Sequence, residues 1–235
     1  MNAVPGVCVA PARSNARLTG WLVYVGLFSL LAYASRFADG EESTVEEPLY
    51  RTSTAVLGAV QFGIMLGIVL LLCVGASRRQ LLALRWPTSW WRALGIAVAV
   101  YVLVFVVGAI VGQFVDPAEE QGLLPEIWDP DRAVALGLNA ILVVVAAPIV
   151  EELTFRGVGF TLLERFGRWF AIVGTAVAFG LAHGLVEGFP LLVAFGLGLG
   201  YMRARVDSVY PCILLHAAFN GLTLAFALAT AERVQ

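Results

Sequence analysis

The sequence predicts an all-α polytopic membrane protein, a transmembrane bundle of about seven helices. Hydrophobic residues make up 60% of the 235-residue chain and charged residues 14%, and the mean hydropathy is +0.84. Such a chain is too apolar for a soluble domain. Apolar runs of helical length also alternate with polar loops, and the sign of the loop charge alternates along the chain. Both observations place the protein in the cell membrane as a multi-pass integral protein.

Seven apolar runs are expected to form the helices, at residues 21–34, 55–75, 93–115, 133–165, 169–184, 190–202 and 209–230. The first run ends in Ala32-Tyr33-Ala34, which resembles a signal-peptidase site. We interpret it as a retained helix because it fits the topology of the other runs. In the sixth run, glycines at 196, 198 and 200 give the small-residue spacing that lets membrane helices approach closely.

The loop charges predict the orientation of the chain. One side of the predicted membrane holds ten Arg and two acidic residues, and the other holds four Arg and thirteen acidic residues. Because positive loops face the cytoplasm, the N-terminus is expected inside and the C-terminus outside. The chain then divides into a cytoplasmic segment at 1–19, three helices with their loops at 20–130, and a membrane core at 131–230.

The three cysteines are scattered along the chain, which argues against a disulfide framework or a cysteine metal site. Membrane lipid is an expected partner, and no nucleic-acid partner is expected.

The fourth run carries the ionisable groups around which the chain is organised. Glu151, Glu152 and Arg156 lie in an apolar helix, where charged groups are costly unless paired or functional. Glu152 and Arg156 are four residues apart on one helix face and are expected to pair. Glu151 points about 100° away and is free for another task. Pro148 removes a backbone donor, which is expected to free the Val144 carbonyl and open the helix.

Four polar side chains are expected to converge inside the membrane. Counting about 1.5 Å per residue from the cytoplasmic helix ends, Glu151 lies roughly 21 Å deep and His183 roughly 22 Å. His216 and Asn220 lie roughly 14 and 20 Å deep on the seventh run, and their i, i+4 spacing puts them on one face. A shared depth is what a buried site requires.

This set can activate water in two ways. In the first, Glu151, His183 and His216 bind a divalent metal such as zinc, with water at an open position. Alternatively, Glu151 acts as a general base while imidazole and amide groups stabilise an oxyanion. The H-E-x-x-H signature is absent, so spacing leaves both readings open.

Three motifs occur in order on separate helices: Glu151-Glu152-x-x-x-Arg156, Phe179-x-x-x-His183 and His216-x-x-x-Asn220. Together, over about residues 133–225, they resemble the CPBP family of intramembrane proteases (CAAX-processing and bacteriocin-processing, also called ABI). The resemblance implies peptide-bond hydrolysis, with a peptide or protein substrate that is lipid-modified in some members, and bacteriocin immunity in others. It implies that Glu151 activates the water and that Glu152 and Arg156 support it. His183 would hold the water or a metal, and His216 with Asn220 would stabilise the oxyanion.

The resemblance departs from the bacterial pattern at Asp207, which stands where a turn glycine is usual, and this makes the loop conformation an open question.

Two other classes of function compete with the protease. A non-catalytic membrane protein of the same fold could act as an immunity or regulatory factor, although a scaffold has no need for this polar set. An ion-coupled transporter could relay charge through the glutamates and histidines, but the sequence shows no inverted repeat.

Overall fold

The computed structural model describes residues 11–38, 47–115, 125 and 127–233. The first ten residues and most of both acidic loops, at 39–46 and 116–124, lie outside the described residues. The fold is an all-α helix bundle whose outer surface is apolar, with Phe105 77% and Phe226 72% exposed. Such a surface requires a bilayer around it. The protein is therefore a multi-pass integral membrane protein.

The described helices, in chain order, are α1 (Pro11–Ala38), α2 (Thr52–Leu72), the short α3 (Arg78–Leu81), α4 (Trp90–Val111), α5 (Pro130–Phe166), α6 (Arg168–Ala182), α7 (Phe189–Val206) and α8 (Tyr210–Thr230). Apart from α3, each corresponds to one predicted run. Six are long and apolar enough to cross a membrane, and α6 is a shorter apolar helix of 15 residues. Two-residue strands, β1 (Ile127–Trp128) and β2 (Glu232–Arg233), pair in parallel beside the bundle.

Helix α5 lies at the centre of the fold and is not a regular α-helix. Two π-helical segments, Leu142–Ala146 and Leu153–Gly159, flank the α-helical turn and a half Ala147–Glu152. Every residue of the second segment is buried. π-Helical turns are rare and occur frequently at functional sites. The glutamate pair thus lies between two irregular segments.

The glycines of α7 allow the close packing that the sequence predicted. A Cβ at Gly196 would lie 2.9 Å from the Cα of Ala176 on α6, and a Cβ at Gly198 would lie 2.5 Å from Val100 on α4. Both separations are too short for a side chain, so glycine is required at both positions. Helix α7 is consequently wedged between α4 and α6.

Helix α1 is part of the buried core. Trp21 is 1% exposed, and its indole Nε1 donates a 2.9 Å hydrogen bond to the Thr154 carbonyl of α5. A Cβ at Gly159 would lie 2.4 Å from the same indole ring. These contacts join α1 to the second π-helical segment.

The sixth predicted run ended too early. Helix α7 continues to Val206, so Arg203 belongs to the helix and is 2% exposed instead of lying in a loop. Its guanidinium is paired with the carboxylate of Asp207 at 2.9 Å. The sequence analysis ended the run before Arg203 because hydropathy does not show that the arginine is paired. Asp207, four residues later, is the counter-ion that offsets the cost of burying it.

Asp207 keeps the backbone conformation of the glycine that it replaces. Its φ of 53° and ψ of 38° are left-handed, a region that Asp and Asn tolerate better than most residues. Its carboxylate accepts hydrogen bonds from Arg85 and Arg203. Burial alone would raise the pKa of Asp207, but the Arg85 hydrogen bond and the charges of both arginines outweigh it and lower the pKa.

Candidate active site

The ion pair predicted within α5 is present. Glu152 Oε1 accepts a 3.0 Å hydrogen bond from Arg156, and both side chains are fully buried. Arg156 also donates to the Gly196 carbonyl of α7 at 3.0 Å, and its guanidinium lies 4.7 Å from the centre of the Phe179 ring. A buried guanidinium needs several such contacts to offset its desolvation. The pair therefore fixes α5 against α6 and α7.

His216 joins this pair from α8. Its Nδ1 lies 3.0 Å from Glu152 Oε1, and the side chain is 4% exposed. A carboxylate only accepts hydrogen bonds, so Nδ1 carries the proton and donates it. In the neutral ring, Nε2 then has a free lone pair. The sequence analysis did not predict this contact, which joins residues 64 positions apart on different helices.

His183 has the same tautomer for a different reason. It caps the C-terminus of α6, and its Nδ1 lies 2.7 Å from the Phe179 carbonyl, one of the carbonyls that a helix end leaves without a partner. A carbonyl oxygen accepts, so Nδ1 is again the donor and Nε2 keeps its lone pair. Because α6 spans only about 22 Å, its end lies inside the hydrocarbon layer.

Glu151 lies opposite both imidazoles. Its Oε2 is 3.8 Å from His183 Nε2 and 3.9 Å from His216 Nε2, and its side chain is 14% exposed. This oxygen is buried and makes no hydrogen bond within the described part of the chain. The structure thus brings Glu151, His183 and His216 together, as the sequence analysis expected. Glu151 does share His216 with Glu152, which the helix-face argument did not anticipate.

Asn220 lies at the edge of this group and caps a backbone carbonyl. Its amide nitrogen donates a 2.9 Å hydrogen bond to the Val143 carbonyl in the first π-helical segment. In that π-helical segment, the Ala147 N–H donates to the Leu142 carbonyl, five residues back. With the same spacing, the donor for the Val143 carbonyl would be residue 148. That residue is proline, which has no N–H. The expectation that Val144 loses its partner was wrong by one residue, because the helix is π and not α at this point.

The same region is matched in comparisons with known proteins. Residues 133–222 match the family model described as "Type II CAAX prenyl endopeptidase Rce1-like". A curated protein of Bacillus subtilis (strain 168), "Putative membrane peptidase YdiL", is 28% identical over 95 residues, which is 40% of this chain and 39% of that protein. Residues 133–222 are thus similar to a family of membrane peptidases, in the region where the sequence resembles the CPBP family. The chain matches well under half of the curated relative's length, and no solved structure matches it.

Two cavities open on either side of Glu151 and His183. The inner cavity, of about 250 Å³, lies among α5, α6, α7 and α8 and reaches His216, Asn220 and Thr223. The outer cavity, of about 720 Å³, lies between α1 and α2, and its wall is mostly apolar. Glu151 and His183 border both cavities. A substrate could therefore approach Glu151 from either side.

The side chains of Glu151, His183 and His216 are chemically suited to bind a divalent metal, but they lie too far apart to form a closed site. A carboxylate oxygen and two imidazole nitrogens are zinc ligands, and each imidazole Nδ1 is held by a second group, as in most metal-bound histidines. The separations of 3.8 and 3.9 Å exceed the about 3.3 Å between ligand atoms of a tetrahedral zinc site. Within the described residues, no three such side chains form a closed metal site.

The buried charges of this group of residues do not balance. With both imidazoles neutral, two carboxylates face one guanidinium, which leaves a net charge of −1 among Glu151, Glu152 and Arg156. Unbalanced charge inside a bilayer is costly. In addition, Glu151 Oε2 and the Nε2 atoms of the two neutral imidazoles are all acceptors. A water molecule between them donates only two hydrogen bonds, so one acceptor would be left without a donor. One further positive charge, a proton on an imidazole or a metal ion, would balance the site.

Proposed function

We propose that the protein is an intramembrane endopeptidase in which Glu151 activates a water molecule with the help of His183 and His216. The observation that carries this proposal is the approach of Glu151 Oε2 to two imidazole Nε2 atoms, at 3.8 and 3.9 Å. A water molecule at about 2.8 Å from the carboxylate and from either imidazole fits these separations. The group is buried in apolar surroundings, where charge interactions are stronger than in water.

The chemistry follows from the positions of these groups. Glu151 takes a proton from the water as the oxygen attacks the carbonyl carbon of the peptide. The carbonyl oxygen becomes an oxyanion in the tetrahedral intermediate. Glu151 then returns the proton to the leaving nitrogen as the C–N bond breaks, which yields one new carboxyl group and one new amine. Glu151 alternates between base and acid and ends in its starting state.

The oxyanion needs donors, and two groups are suited to supply them. The Asn220 amide has two protons, and only one is used on the Val143 carbonyl. His216 becomes a donor at Nε2 when its ring carries a second proton, while Nδ1 remains bonded to Glu152. Loss of one oxyanion donor typically slows turnover about 10²–10³-fold.

A divalent metal, if bound, would be held by Glu151, His183 and His216, and it would supply an acidified water molecule. Metal analysis of the purified protein, with activity measured before and after chelation and zinc return, separates this form of the mechanism from one in which Glu151 acts without a metal.

The substrate in this proposal is an apolar peptide that approaches from the bilayer. The outer cavity is apolar and is lined in part by residues that face lipid, such as Leu57 at 69% exposed. The family name of the matched model refers to prenyl endopeptidases. A lipid-modified peptide is accordingly a proposed substrate class, to be compared with the same peptide without lipid.

Replacement of Glu151 by Gln tests the proposal. Glutamine preserves the size of the side chain but cannot take a proton, so the variant should fold normally and lose about 10²–10⁴-fold in turnover. The measurement is cleavage of a fluorogenic peptide library, with and without lipid modification, by purified protein in liposomes. Glu164→Gln, at the exposed end of α5, is the matched control and should keep wild-type activity. Equal turnover by Glu151→Gln and wild type would contradict the proposal and favour a non-catalytic membrane protein of the same fold.

A further inference from the structure

The two cavities at the active site share few wall residues. Of all the residues that border them in the described chain, three border both: Glu151, His183 and Phe62. The first two are the proposed base and its neighbour. Phe62 is the remaining member, and its ring has no reactive group. Among the described residues that border both cavities, Phe62 is therefore the one whose side chain carries no reactive group.

Phe62 comes from a part of the chain outside the family match. It lies on α2, whereas the matched region begins at residue 133. One helical turn earlier, a Cβ at Gly58 would lie 3.2 Å from Leu142, the first residue of the first π-helical segment. Ala55, Met65 and Val69 are buried on the same face of α2. This face holds Phe62 half-buried against the core.

The cavities differ in size and in access. The outer cavity, at about 720 Å³, is bordered by the lipid-exposed residues Leu31 and Ile64 and so faces the bilayer. The inner cavity, at about 250 Å³, is smaller and lies among the helices that carry His183, His216 and Asn220. An apolar cavity of about 150 Å³ already holds benzene, so the inner cavity has room for one large side chain. A peptide whose carbonyl carbon reaches Glu151 can place groups in both cavities, on either side of Phe62.

We propose that Phe62 determines substrate specificity by limiting the size of the side chain that passes from the outer to the inner cavity beside the scissile bond. This inference rests on the proposed peptidase function. A shorter side chain at position 62 joins the cavities and admits a bulkier residue. A larger side chain narrows the passage and excludes it. Size discrimination of this kind, in an apolar pocket, typically amounts to about 10–200-fold per methylene group.

The test compares two otherwise identical quenched peptides that carry Ala or Trp next to the scissile bond. For Phe62→Ala and the milder Phe62→Leu, the ratio of kcat/KM for the Trp peptide to that for the Ala peptide should rise about 10-fold or more. For Phe62→Trp the ratio should fall. Phe28→Ala removes the same group from a residue that borders only the outer cavity, and its ratio should match that of the wild type. If the Phe62 variants are active and their ratio of kcat/KM for the two peptides equals that of the wild type, the inference is wrong.

A binding measurement keeps the inference separate from the proposed function. A photoreactive phenylalanine analogue is placed at position 62 in a Glu151→Gln background and irradiated with the same peptides. We expect crosslinking at position 62 and none at the lipid-facing position 105. Crosslinking without turnover by the wild type would mean that the peptidase function is wrong while Phe62 still contacts the peptide. Absence of a crosslink at position 62 overturns the inference even when the wild type cleaves peptide.

Discussion

At the scale of single residues, Glu152 connects its ion pair with Arg156 to His216, which faces the proposed base Glu151. One oxygen, Oε1, accepts from Arg156 and from His216, each at 3.0 Å, while Oε2 is buried and has no partner among the described residues. Arg156 thus neutralises the carboxylate that fixes the tautomer of His216. Because His216 in turn faces Glu151, a change at Arg156 affects the reactive group without touching it.

Removal of Arg156 should destabilise the protein. Arg156→Ala leaves the buried Glu152 carboxylate with His216 as its remaining partner, and breaking a buried pair in this way costs about 3–5 kcal/mol. Thermal unfolding in detergent should show a lower midpoint and a lower folded yield. The double variant Glu152→Gln/Arg156→Gln should recover part of the loss, because no buried charge is left unpaired.

Arg168→Ala is the control for this prediction. Arg168 and Glu164 are 3.7 Å apart and exposed, and such a pair is worth about 0–1 kcal/mol. Wild-type stability of Arg156→Ala would contradict the role assigned to the buried pair.

At the scale of elements, the irregular course of α5 is stabilised from three other helices. The Val143 carbonyl accepts from Asn220 on α8, the Thr154 carbonyl from Trp21 on α1, and the Arg156 carbonyl from Arg203 on α7. Backbone polar groups at membrane depth need partners, and side chains of neighbouring helices can supply them where an α-helix is interrupted. The π-helical segments are therefore a property of the assembled bundle as well as of α5.

A double-mutant cycle between Pro148 and Asn220 tests this explanation. Asn220→Ala alone should cost about 1–3 kcal/mol, because the Val143 carbonyl loses its donor. Pro148→Ala restores a backbone N–H, so the same Asn220→Ala change should cost at least about 0.5 kcal/mol less in that background. Chemical denaturation in detergent gives both values. Thr223 lines the same cavity, and Thr223→Ala is the control, because it should lower the free energy of unfolding by the same amount in either background. If Asn220→Ala also cost the same in both backgrounds, the proposed coupling would be wrong.

At the scale of the whole molecule, the basic loops gather at one end of the bundle. Arg17 donates to Leu72 and Val74, Arg165 contacts Asn15, and Ser208 donates to Arg85. At the other end, Asn139 donates to the Leu49 carbonyl after the first acidic loop. The alternation of loops that the charges predicted is thus present in the fold. Which end faces the cytoplasm stays a prediction from the positive-inside rule.

Reporter fusions test the orientation of the chain. A reporter joined after residue 85 should behave as cytoplasmic, and one joined after residue 125 as external, because the first position lies among arginines and the second follows an acidic loop. Alkaline phosphatase and fluorescent-protein activities in whole cells provide the measurement. The opposite pattern would reverse the topology.

The sequence by itself determined the membrane class, the seven apolar runs, the Glu152–Arg156 pair and the meeting of His183 and His216 with Glu151. These features follow from hydropathy, helical spacing and depth, which are local or one-dimensional quantities. It also indicated, through Pro148, that α5 would be irregular near the glutamates. Its errors were local too, at the end of α7 and at the carbonyl freed by Pro148.

Only the tertiary structure decided which groups touch across helices. The bond between His216 and Glu152, the burial of Arg203 against Asp207 and the position of Phe62 between two cavities all join residues far apart in sequence or depend on packing. An apolar residue in an apolar helix gives no sign of the cavity that it borders. Rotation of each helix about its axis decides such contacts, and that rotation is set by the packing of the whole bundle.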